Sequence, residues 1–100
     1  MDLFKELRSI RLSVILSMIE VLIYECACDY GVEPNKILNE LKTHKRPFVG
    51  SMKVINNTVS TFSMLEQIDR EEMYSIIEEF TNMRGWEAYK DENRYKSDVR

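Results

Sequence analysis

One run constrains this 100-residue chain more than any other: Leu12 to Cys28, LSVILSMIEVLIYECAC, in which 13 of 17 residues are apolar. On a helix, Ser13, Ser17 and Glu20 fall at i, i+4 and i+7 and share one narrow polar face. A helix apolar on every other face must be covered over most of its circumference. The run therefore predicts the central helix, residues 12–30, of a small all-α bundle. A membrane span is the rival for so apolar a stretch. The run is shorter than the ~20 residues a span needs, and Glu20 sits in its middle, so a span is not expected. The opening MDLFKELR carries acids where a secretory leader is basic, which points to a cytoplasmic protein.

A chain of this length forms one domain. Forty-four per cent hydrophobic and 31% charged residues suit a globular chain, and three Gly with two Pro leave few breakers, favouring long helices over many short strands. The expected domain covers residues 1–90, four to five helices, with residues 91–100 a frayed polar tail. The net charge of −3 excludes a protein that coats nucleic acid indiscriminately. Eight Lys/Arg lie against seven Asp/Glu in residues 1–54, but two against six in residues 55–84, so a polyanion would meet the N-terminal half.

The first helix is expected from an Asp2 cap, with Leu3, Leu7, Ile10, Val14, Val21 and Cys28 as one apolar stripe. It runs through to Tyr30 or breaks near Ser13, and Gly31 ends it. Pro34 opens the second helix, whose buried face is Ile37, Leu38 and Leu41; Pro47 stops it near residues 43–46. Residues 48–68 admit two structures. Met52, Ile55, Val59, Phe62 and Leu65 repeat at helical spacing behind a Ser51 cap. The same stretch is rich in β-branched residues around Asn56-Asn57, so a short hairpin at 52–62 is the alternative. The regular stripe favours helix. Asp69 caps the last helix, with Glu71 and Glu72 in its first turn and Met73, Ile76, Ile77, Phe80 and Met83 along one face. Trp86 and Tyr89 are spaced to dock beside it.

No catalytic constellation is visible, and the chain reads as a non-enzyme. Cys26 and Cys28, two apart on a helix, face opposite sides and do not bridge; they read as reduced thiols. With one histidine, His44, a zinc set cannot be built from Cys and His, and no cofactor or metal is expected. Glu78 and Glu79 diverge from a helix and read as a solvated face.

The one motif with functional content is Ala27-x3-Gly31-Val32 followed by Ile37 and Leu41. It resembles the helix-turn-helix unit of DNA-binding regulators over residues 23–42: a small residue lets the second helix pack close, a glycine takes the turn, and Val, Ile and Leu fill the wedge. The resemblance implies a recognition helix from Pro34 to Lys45, a dimeric regulator and duplex DNA as partner. Asn35, Asn39 and Lys42 would then point outward together, asparagine suiting adenine, with Lys42, Lys45 and Arg46 neutralising phosphates. A hairpin at 52–62 would stand where a wing follows. Glu33 and Glu40 oppose this reading. The alternative is a protein-binding helical module, of inhibitor, anti-sigma-like or immunity type, that docks an apolar helix face and buries the remainder in a homodimer.

Overall fold

The computed structural model describes residues 3–43 and 47–86 and folds them into four α-helices: α1 (Leu3–Tyr30), α2 (Pro34–Thr43), α3 (Gly50–Glu66) and α4 (Arg70–Arg84). Among the described residues there is no strand. Residues 52–62 lie inside α3, so the hairpin alternative and the wing it would have supplied are not adopted. The repeat of buried Ile55 and Val59 outweighs the weak helix propensity of the intervening Val, Thr and Asn, because each turn gains a core contact. The Asp2 cap, His44, Tyr89 and the tail at 91–100 lie outside the described residues.

The helix ends follow local chemistry. Gly31, at φ +68°, closes α1: its N–H donates to the Cys28 carbonyl at 3.2 Å, and the Val32 N–H donates to Ala27 O at 3.0 Å. This pairing satisfies the last carbonyls of the helix. The same device ends α3, but with Gln67 in the left-handed region at φ 59°, donating to Met64 O while Ile68 donates to Ser63 O. Gly85 at φ 61° ends α4. Ser51 is not the α3 cap; that position is Val49, which has no capping side chain, and Gly50 at φ +61° turns the chain into the helix. Asp69 occupies the cap position of α4 but makes no side-chain capping bond.

α1 runs unbroken past Ser13 and touches all three other helices. Ile19, Ile23 and Ala27 meet Ile37, Leu38 and Leu41 of α2, Ile55 and Val59 of α3, and Met73 and Ile77 of α4 in one core. The thinnest dimension of the molecule is 17 Å. Helix axes pack 8–10 Å apart with Cα atoms ~2.3 Å off axis, so that thickness holds two layers of helices. In two layers each helix has an inner and an outer face, and this decides the fate of α1.

The stripe Leu3, Leu7, Ile10, Val14 and Val21 is on the outer face, not in the core. Positions nine apart on a helix lie on opposite sides. Thus Leu16 and Ile23 are buried at 6% and 0% exposure, while Leu7 and Val14 opposite them are 51% and 54% exposed. The small polar face does not hold together either: Ser13 is exposed and Glu20 is 1% exposed. Leu65 and Met83, expected on the inner stripes of α3 and α4, are exposed, whereas Tyr74 and Thr81 are buried.

Candidate functional site

The turn between α1 and α2 is closely packed. Ala27, Ile37 and Leu41 are buried, Val32 is half-buried against the core, and Gly31 supplies the left-handed residue. The candidate DNA-reading residues divide. Asn39 is exposed. The Asn35 side-chain oxygen accepts from Trp86 Nε1 at 3.3 Å, which ties the start of α2 to the residue beyond α4. Lys42 is half-buried, and its Nζ donates to Glu78 Oε1 at 2.6 Å. Glu78 is therefore not a purely solvated carboxylate but the anchor of α2 on α4, and Lys42 spends its charge inside the molecule. Lys45 and Arg46 lie outside the described residues. Glu33 and Glu40 share the outer side of α2 with Asn39, Lys36 and Thr43.

Three other polar clusters hold helices together. Glu20 is met by Arg84 Nε, which donates to Oε2 at 3.2 Å, while the guanidinium also lies over Phe80, 5.2 Å from the ring centre. Glu66, at the end of α3, receives Arg11 in a two-pronged contact, Nε to Oε2 at 2.8 Å and Nη2 to Oε1 at 3.1 Å. Arg8 donates to the Glu66 backbone carbonyl at 3.0 Å. Arg11's hydrogen bonds hold the Glu66 carboxyl below its ordinary range against the opposing effect of burial. Between α3 and α4, the Asn56 oxygen accepts from Arg70 and, at 3.0 Å, from the Tyr74 hydroxyl. Burial pushes the Tyr74 hydroxyl up to about 12. Every buried side-chain nitrogen and oxygen among the described residues has a partner, so these clusters are satisfied struts between helices.

Cys26 is buried and Cys28 half-buried, both as free thiols. Burial, then the nearby Asp29 charge, pushes the Cys26 thiol up, away from the reactive thiolate. Among the described residues no group of His, Cys, Asp and Glu could hold a metal, and no helix is long and apolar enough to cross a membrane.

The most unusual surface is the outer face of α1. Leu3, Leu7, Ile10, Val14, Met18 and Val21 are each 40–63% exposed in one line. Beside the line runs a shallow furrow floored by Ser9, Ser13 and Ser17. On its other side the line borders a second hollow, shared with α3, where Val14 and Met18 face Phe62 and Leu65 above the Arg11–Glu66 pair. Scattered apolar residues on a surface are ordinary, but a contiguous ridge flanked by grooves marks an interaction surface. Sequence periodicity finds both apolar stripes of α1 but not which one faces inward. The signal that could have separated them is the neighbour set: serines flank the outer stripe, while Ala27 and Cys26 flank the inner one.

Compared with known proteins, the chain matches no family model, no curated protein and no solved structure.

Proposed function

We propose that this chain is a cytoplasmic, non-catalytic, protein-binding helical module, and that the outer face of α1 is its docking surface. The observation that carries this reading is the line of Leu3, Leu7, Ile10, Val14, Met18 and Val21, each of them apolar and exposed. Its span is ~27 Å at 1.5 Å per residue, the length of a helix-in-groove or helix-on-helix contact. Burying it against another protein removes a row of exposed apolar side chains from water.

The test is affinity capture with the full chain and with Val14→Glu, captured proteins being identified by mass. A protein retained by the wild type and lost from the equally helical variant supports the reading. Identical captures refute it.

A second reading, a DNA-binding regulator, is favoured by the packed Ala27–Gly31–Val32 turn with Ile37 and Leu41 beneath it. It weakens where Lys42 pairs with Glu78 and Asn35 with Trp86, since both must be released to reach a base or a phosphate. Duplex binding that falls with salt and is lost in an Asn39→Asp, Lys42→Glu variant would favour it; no affinity at low salt would end it.

A further inference from the structure

We propose that the hollow between α1 and α3 binds a single-chain amphiphile ended by a carboxylate, its apolar chain lying over Val14, Met18, Phe62 and Leu65 and its head group meeting Arg11. The hollow has a volume of about 560 Å³, within the ~300–1,000 Å³ of small-molecule sites. Such sites are lined mainly by apolar side chains, with a few polar groups that fix orientation. Here Val14, Ile15 and Met18 of α1 and Phe62 and Leu65 of α3 supply the apolar lining, while Arg11 and Glu66 supply the polar part. Met18 lies two turns beyond Arg11, ~10 Å along the helix axis. One end of the hollow is therefore charged and the other apolar, and a ligand that matches both ends is itself amphipathic. The hollow stands whether or not the rest of the α1 line docks a protein.

Charge sets the sign of the head group. Arg8 and Arg11, one turn apart on α1, share the single carboxylate of Glu66, with Arg11 Nε 2.8 Å from Oε2 and Arg8 Nε 3.6 Å from Oε1. The Glu66 side chain is 3% exposed, whereas those of Arg8 and Arg11 are 57% and 59% exposed. The acid is sealed beneath and the two cations face solvent, so the cluster presents one positive charge more than Glu66 neutralises. An anion is attracted to that end and a cation repelled. One excess charge is matched by the single charge of a carboxylate rather than by the ~1.5–2 of a phosphate monoester.

Geometry agrees. Arg11 gives Nε–H and one Nη2–H to Glu66. Three of the five N–H donors of a guanidinium are not used in that contact, and two of them, on Nη1 and Nη2, form the end-on fork that fits a planar carboxylate. Removal of the chain from water against the apolar lining adds to the binding.

The test uses decanoate as the carboxylate probe and decyltrimethylammonium as a probe with the same chain and the opposite charge. Isotope-labelled methionine methyl groups in the full chain report position by NMR: Met18 lines the hollow, and Met83, 83% exposed on α4, does not. Decanoate titrated to about 10 mM at constant ionic strength should shift the Met18 methyl saturably, with half-saturation on the order of 1 mM, and leave Met83 in place. Decyltrimethylammonium should bind about tenfold more weakly, and Arg11→Gln should weaken decanoate by about tenfold. Arg11→Gln also removes a partner of Glu66. Leu65→Glu, on the exposed rim and clear of that ion pair, is therefore the second variant: it should abolish the decanoate shift with helical circular dichroism unchanged. An unmoved Met18 at about 10 mM decanoate overturns the site. Equal binding of the two amphiphiles overturns the charged end, and Met18 and Met83 shifting together reveals general detergent association instead. Undiminished decanoate binding in both Arg11→Gln and Leu65→Glu overturns the proposal as well.

Discussion

Replacing Arg84 with methionine leaves the Glu20 carboxylate, 1% exposed in the middle of α1, without the guanidinium 3.2 Å away. A hydrogen bond to a charged group is worth ~1.5–3 kcal/mol, and breaking a fully buried pair costs ~3–5 kcal/mol. Arg84 is itself 41% exposed, so water can follow the lost side chain partway and the cost falls toward the lower range, about 2–3 kcal/mol. For a domain of this size that is a fall in Tm of roughly 10–20 °C. Part of the loss is the stacking of Arg84 on Phe80, ~0.5–1 kcal/mol, which any Arg84 variant forfeits. A double-mutant cycle separates the two. Glu20→Met with Arg84→Met should be more stable than Arg84→Met alone, because it removes the stranded charge and keeps the volume. Urea unfolding followed at 222 nm measures all four proteins. A cost below about 0.5 kcal/mol for Arg84→Met, the range of an ordinary surface change, would refute the claim that Glu20 is a buried strut between α1 and α4.

Three further outcomes follow from the same geometry. Glu66 has a folded-state pKa held below its ordinary 4.5, so its stabilisation is full above that pH and is lost as pH falls through the lowered value; in acid-titrated urea melts the gap between wild type and Glu66→Gln should be widest at neutral pH and close on acidification. Gln67 holds a left-handed conformation that costs a side chain ~1 kcal/mol, so Gln67→Gly should raise the unfolding free energy by about 0.5–1 kcal/mol in the same assay. Cys26, buried with its thiol pKa raised, should react with a disulfide reagent only as fast as the chain opens, so the native protein should release less than its full complement of thiols until urea is added.

Much of the backbone was legible because punctuation is local. Gly31 and Pro34 mark the α1–α2 turn, and Asp69 and Gly85 bracket α4. The end of α3 was not legible, since glutamine at the left-handed position carries no signal of its own. The hairpin alternative survived in the sequence because Val, Thr and Asn are equally at home in strands, and only packing of Ile55 and Val59 decides. Polar partners were beyond reach for a different reason. Glu20 finds Arg84 64 residues away and Glu66 finds Arg11 55 residues away, so neither contact has a periodic signature. Which face of α1 points inward was not legible because both stripes are apolar, and only the packing of the other three helices against it leaves one outside. The buried residues around the α1–α2 turn were legible in the sequence, yet Lys42 and Asn35 are engaged by Glu78 and Trp86 from α4 and just beyond it, which nothing within residues 23–42 foretells.

Radical footprinting of α1 tests the docking claim most directly. The full chain at submicromolar concentration is labelled alone and in extract of the cells that express it, and modification of Ile10, Val14 and Met18 is compared with that of Val49 and Met83, exposed elsewhere. Protection of the three α1 residues in extract, with Val49 and Met83 unchanged, is the predicted result. Equal labelling of all five in both conditions would contradict it.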